Sequence, residues 1–280
     1  MTHSGTSRRT RVLAIGGSDP SGGGGIQADQ RAIHALGGWA FTVVTSVTVQ
    51  NSRGLLGAQP VEPRIVAEQI RALAGDFSIA AVKTGMLASS AIVRAVVAEL
   101  TREPLSRLPL VVDPVLSASA GGVLLDDEGL DLLLETLLPL AALCTPNRPE
   151  AERMAGIPVR TLEDAREAAG RLLARGPRAV LVKGGHGSGA EVVDLLLDAG
   201  GTRCLSSPRI PGPAPRGTGC TLAAAIAHGL GAGRALEEAV LRARELVAAA
   251  MRAARPLGRG APVLDAGPRP GGDDGEEDRA

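Results

Sequence analysis

Short apolar or β-branched runs alternate with segments of helical periodicity along most of this chain. The runs at 11–15, 42–49, 79–83, 110–113, 142–145 and 179–183 have the length and composition of strands. Between them, residues 26–36, 65–73, 91–100, 130–138, 149–155 and 165–175 place apolar side chains at helical spacing. Such alternation predicts a mostly parallel sheet with helices on both faces. Residues 192–197 and 202–205, joined by Ala199-Gly200-Gly201, predict an antiparallel hairpin at one edge. Helices at 221–230 and 236–254 close the pattern. No linker or repeat interrupts 11–255, so a single domain is expected there. Residues 1–10 and 256–280, where the apolar pattern stops and Pro, Gly, Asp and Glu accumulate towards the C-terminus, are expected to be disordered tails.

Composition narrows the function. The chain has 280 residues and a formal charge of +0, and its aromatic residues are Trp39, Phe41 and Phe77. It therefore lacks both the basic footprint and the stacking platforms of a nucleic-acid binder, and a small-molecule partner is expected. No run reaches the length of a membrane span, and residues 1–10 lack a signal-peptide core. The three cysteines, Cys144, Cys204 and Cys220, have no C-x-x-C spacing. A cytoplasmic protein fits this usage. Of 30 basic residues only Lys83 and Lys183 are lysines. Both follow apolar runs and stand at strand ends, where open parallel sheets form their ligand crevice. A compact ammonium suits a transferring phosphate. Lys83, with less distinctive neighbours, reads more readily as an ordinary edge lysine.

Candidate chemistry sits at the ends of these strands. Gly217-Thr218-Gly219-Cys220 leads directly into an Ala-rich helix. Glycines expose backbone N–H groups and a helix N-terminus favours anions, so by itself the stretch reads either as an anion cradle or as a plain glycine-rich loop before a helix with a small buried Cys. A thiol on the first turn is expected to have a lowered pKa. The glycine-rich stretch from Gly16 to Gly25 lacks both Rossmann and P-loop spacing. It can bring backbone close to a ligand, with Asp29 on the following helix as a hydrogen-bond acceptor. Gln50 closes the next strand with an amide suited to a heteroaromatic edge. Asp113 and Glu150, with Asn147, provide carboxylates for Mg²⁺, which takes one or two carboxylates plus substrate phosphates. Asn147 and Glu150 also have capping-box spacing. His186, after Lys183-Gly184-Gly185, reads as structural. Together these pieces describe phosphoryl transfer.

In this order the motifs resemble the hydroxymethylpyrimidine and phosphomethylpyrimidine kinases of thiamine biosynthesis, within the ribokinase-like superfamily. The resemblance runs through Gly17–Asp29, Gln50-Asn51, Lys83-Thr84-Gly85-Met86-Leu87, Asp113-Pro114-Val115, Thr145-Pro146-Asn147 with Glu150, Lys183-Gly184-Gly185-His186 and Gly217–Thr221. It implies a three-layer α/β/α fold with a small antiparallel edge, ATP and Mg²⁺ as cofactors, and a homodimer. The implied activity is phosphorylation of 4-amino-5-hydroxymethyl-2-methylpyrimidine and then of its monophosphate. It also implies that Gly17, Asp29, Gln50, Met86 and Val115 line the pyrimidine pocket, and that Asn147 and Glu150 support the metal. Lys183 would neutralise the transferring group, residues 217–220 would form the anion hole with Thr218 and Gly219 on the nucleotide, and Cys220 would take the place of an Asp base. Two positions depart from the family: Arg216 stands where His is common, and Leu116 where Met usually follows Val. A pyridoxal kinase of the same superfamily is the nearest competing reading, and a non-catalytic nucleotide-binding regulator is a second.

Overall fold

The computed structural model describes residues 9–117, 122, 124–185 and 189–266. The strands are β1 (Arg11–Ser18), β2 (Trp39–Asn51), β3 (Gly54–Pro60), β4 (Ala81–Thr84), β5 (Leu110–Val112), β6 (Leu143–Cys144), β7 (Ala179–Val182), β8 (Glu191–Asp198) and β9 (Gly201–Pro208). They form one sheet in the order β3-β2-β1-β4-β5-β6-β7-β8-β9. Strands β2 to β7 in that order are parallel, while β3 at one edge and β8–β9 at the other are antiparallel.

The helices are α1 (Gly25–Ala35), α2 (Pro63–Asp76), α3 (Ser90–Leu100), α4 (Asp127–Leu132), α5 (Arg148–Ala155), α6 (Leu162–Leu173), α7 (Thr218–Gly231) and α8 (Leu236–Arg252). Successive strand residues point to opposite faces, so a strand covered on both sides must be apolar throughout. Leu13, Ile15, Val112, Val180 and Val182 pack with α2 to α6. Val12, Val111, Ala179 and Leu181 pack on the other face with α1, α7 and α8. This three-layer arrangement is the expected α/β/α class.

Helix α7 is buried nearly all round from Thr221 to Gly229. Its run of alanines carries no bulk and lets the backbone lie close against β1, β4 and β5.

Three expectations need correction. Strand β3 was not foreseen; Gly54–Pro60 has little β-branched character, and pairing with β2 defines it. The helix expected at 130–138 is α4 followed by a π-helical stretch, Leu133–Leu137, and one 3₁₀ turn, Leu138–Leu140. There the Thr136 hydroxyl donates to the Leu132 carbonyl at 2.6 Å, and Pro139 has no N–H to continue the ladder. Residues 256–266, assigned to a disordered tail, are held instead: Leu264 and Ala266 are buried against Ala250 and Met251. No helix among the described residues is long and apolar enough to cross a membrane.

Candidate active site

The parallel strands end side by side, and each hands its next residues to one crevice. Asp113 follows β5, Thr145 follows β6, and Lys183 follows β7. A bridge between Asn147 and Lys183 extends the pairing past the strands. Lys183 Nζ donates to Asp113 Oδ1 at 2.9 Å, and Thr145 Oγ1 donates to the same oxygen at 3.1 Å. Burial alone would raise the Asp113 carboxyl, but Lys183 and Lys83 hold it below the ordinary carboxylate range. Burial would likewise depress the Lys183 ammonium; Asp113 and Glu150 keep it above its usual range.

The cradle meets this pair directly. Gly217, with φ 83°, turns the chain into α7, and no side chain caps the helix. The first N–H groups therefore remain available to an anion. A Cβ on Gly219 would lie 3.2 Å from Lys183 Nζ and 3.6 Å from Asp113 Oδ2. Gly219 thus stands over the lysine–aspartate pair. A Cβ on Gly217 would overlap the carbonyl oxygen of Gly23, so the glycine-rich loop and the cradle touch backbone to backbone.

Asn147 and Glu150 form the capping box of α5: Asn147 Oδ1 accepts from the Glu150 N–H at 2.9 Å, and Glu150 Oε2 accepts from the Asn147 N–H at 2.7 Å. Glu150 is buried, and burial, with Asp113 opposing the effect of Lys183, pushes its carboxyl up to about 7. Asp113 Oδ2 and Glu150 Oε1 accept no hydrogen bond from the described residues. No cluster of three or more His, Cys, Asp or Glu occurs among the described residues. Two carboxylates, each with an uncommitted oxygen, fit an ion that draws its remaining ligands from phosphate and water.

Lys83 proves more than an edge lysine. It is wholly buried, and its Nζ donates to Asp29 Oδ2 at 2.8 Å. Burial raises the Asp29 carboxyl to about 6 in spite of this partner. Asp29 Oδ1 is buried with no hydrogen bond. The lowered thiol pKa expected at Cys220 is overturned. Desolvation, with Asp29 and Asp113 nearby, raises it to about 11, outweighing Lys83 and a backbone hydrogen bond at Gly25.

Of the remaining candidates, Gly17, Met86 and Gln50 lie at the ends of neighbouring elements away from the lysine–aspartate pair, while Val115 stays beside Asp113. A Cβ on Gly17 would sit 2.9 Å from Met86 Sδ, so these two pack face to face. The Met86 carbonyl accepts from Thr45 Oγ1 at 2.6 Å. Gln50 Nε2 donates to Asp19 Oδ2 at 2.7 Å, and Asp19 Oδ1 accepts from Ser21. Val115, half-buried, donates its N–H to the Asp113 carbonyl at 2.9 Å. Sequence reasoning missed Asp19, the hub that ties Gln50 to the glycine-rich turn; the Asp-Pro-Ser turn signal was its only trace. His186 lies outside the described residues. A depression of about 470 Å³ lined by Arg9, Ile79 and Gly231, among others, lies at the opposite strand ends and contains none of these groups.

Known proteins resemble this chain in sequence and fold. Residues 19–265 match the profile of the phosphomethylpyrimidine kinase family. The chain is 46% identical over 252 residues to the thiamine biosynthesis bifunctional protein ThiED of Geobacter sulfurreducens, covering 90% of this chain and 51% of that protein. It spans about half the length of that relative. It is 43% identical over 256 residues to the hydroxymethylpyrimidine/phosphomethylpyrimidine kinase of Streptomyces coelicolor, covering 91% and 94% of the two chains. The ADP complex of Bacillus subtilis pyridoxal kinase superposes with a TM-score of 0.84 at 29% identity, over 92% of this chain and 97% of that one. With the family profile matched from the glycine-rich turn to the C-terminal segment, this chain belongs to the phosphomethylpyrimidine kinase family.

Proposed function

We propose that this chain transfers the γ-phosphoryl group of ATP to the hydroxymethyl oxygen of 4-amino-5-hydroxymethyl-2-methylpyrimidine, and then a second phosphoryl group to the resulting monophosphate. The observation that carries this reading is the convergence of an uncapped α7 N-terminus on the Lys183–Asp113 pair, beside a separate polar corner. Lys183 and the N–H groups of 217–220 face the charge that develops on the transferring group. Asp113 and Glu150 would hold Mg²⁺, which neutralises phosphate charge when bound. Gly17, Met86, Val115 and Gln50 would hold the ring, with Asp29 Oδ1 accepting from it. Product analysis by mass with ATP and hydroxymethylpyrimidine tests this. Monophosphate followed by pyrophosphate is expected, and ADP release confined to pyridoxal would replace the pyrimidine with a pyridine. That second reading has its own support in the pyridoxal kinase likeness.

Cys220 then acts as a positioning group. At a pKa of about 11 its thiolate fraction at pH 7 is about one in ten thousand. Cys220→Ser is expected to keep kcat within about tenfold of wild type, and a loss on the order of a thousandfold would make the thiol an obligatory base. Asp29 predicts an acid limb. Charged above about pH 6 and neutral below it, it should let the KM for the pyrimidine rise as pH falls through that value. In Asp29→Asn that limb should vanish; a persisting limb at the same pH would assign it elsewhere.

A homodimer belongs to the same proposal. Val47, Val49 and Leu56, all exposed, sit on the β2–β3 hairpin at the sheet edge, an apolar surface of the kind that pairs with another chain. Light scattering should give twice the chain mass, and a monomer at micromolar concentration would remove this part. Cytoplasmic location is supported by three free cysteines and the use of ATP; recovery in a secreted fraction would contradict it.

A further inference from the structure

The segment after α8 crosses back over the substrate corner. Arg255 and Val263 pair antiparallel, with N–H to carbonyl distances of 3.3 and 3.1 Å. Between them, the Gly260 N–H donates to Ser52 Oγ at 3.1 Å and the Ala261 N–H to the Ser52 carbonyl at 2.9 Å. The Pro262 carbonyl accepts from the Arg216 N–H at 3.0 Å. Arg216 in turn donates through its guanidinium to the Asn51 carbonyl at 3.0 Å. Three places far apart in sequence are thereby closed into a ring: the β2–β3 turn, the residue before the cradle, and residues 258–263.

This ring has chemical neighbours on both sides. Gln50, which holds Asp19, is one residue from Asn51; Gly217, which opens the cradle, is one residue from Arg216. Asp265 adds a tie to α1, where it favours the charge of Arg31, whose guanidinium also donates to the Gly22 carbonyl. The close approach depends on glycine: a Cβ on Gly260 would overlap the Ser52 carbonyl oxygen.

We propose that residues 258–263 are a positioning strap that fixes the Gln50–Asp19 corner at a set distance from the 217–220 cradle, and so sets the acceptor's place relative to the phosphoryl donor. Misplacement by about 1 Å can cost about a hundredfold in rate, so a main-chain tie between the two half-sites has a direct catalytic consequence. The strap rests on the pyrimidine reading for its substrate but not for its mechanical coupling.

Two measurements on the full chain test it. In steady-state kinetics, Gly260→Val should lower kcat with hydroxymethylpyrimidine about tenfold or more, a larger change than in either substrate's KM. Ser52→Ala, which removes one hydrogen bond without adding bulk, should move the same constant in the same direction by a smaller factor. Leu257→Ser, at a side chain 78% exposed, should match wild type. An unchanged kcat in a folded Gly260→Val and in Ser52→Ala would overturn the strap. In hydrogen–deuterium exchange without substrate, Gly260→Val should speed exchange at 50–53 and at 216–219 together. Faster exchange at only one of the two would overturn the coupling, whichever substrate the wild type accepts. A wild type inert towards the pyrimidine would end the substrate reading alone.

Discussion

Lys183→Ala is expected to lower kcat on the order of a hundredfold or more, about 2.7 kcal/mol of transition-state stabilisation. Lys183 Nζ lies under Gly219 at the cradle and is held by Asp113, so its charge stands where phosphoryl charge accumulates. The same change leaves Asp113, only 3% exposed, without its closest cation and beside Glu150. A stability loss of about 3 kcal/mol should accompany the rate loss. Lys183→Arg tests the shape of the charge. A planar guanidinium cannot take the ammonium's place under Gly219, so it should recover stability more than rate. Single-turnover kinetics separates these effects; a wild-type rate in Lys183→Ala would remove this residue from the chemistry.

Gly217→Val should be the most damaging change in the cradle itself. Its φ of 83° costs a branched side chain about 1–2 kcal/mol or more, and the new Cβ would overlap the Gly23 carbonyl. Relief requires the glycine-rich loop and the α7 N-terminus to part, which dismantles the anion site. A fall in kcat/KM of at least a hundredfold is expected, with a lower melting temperature. Gly219→Ala is the contrasting case. Its Cβ meets the far end of a flexible lysine 3.2 Å away, so stability should hold while Lys183 is displaced. Full activity in Gly217→Val would show that contact between the two loops is dispensable.

What could be read from the chain follows the range of the interactions. Alternating short apolar runs and helical segments reveal a two-sided sheet, because burial on both faces leaves a local mark at Val12-Leu13 or Val111-Val112. Glycine spacing at 217–219 is equally local. Lys83 was harder, since the partner that makes it distinctive is Asp29, 54 positions away. The raised Cys220 pKa has the same origin: the helix-terminus effect is local, whereas the burial that raises it, aided by Asp29 and Asp113, comes from elsewhere in the fold. Strap contacts were invisible because they are made by main-chain atoms in a Pro- and Gly-rich segment whose composition resembles a tail. Strand β3 owes its conformation to β2, with which it pairs.

The two lysine–aspartate pairs have a consequence for what the resting enzyme rejects. Lys83 and Lys183 are each already matched by a carboxylate, so the empty crevice presents little net positive charge. Inorganic phosphate can take the α7 N–H groups and a spare donor of Lys183, but Asp113 already offsets the lysine's charge and no contact beyond the cradle holds the ion there. A nucleotide carries further contacts that do. Phosphate abundant in solution is therefore expected to compete weakly with ATP, and the enzyme stays open to its true donor.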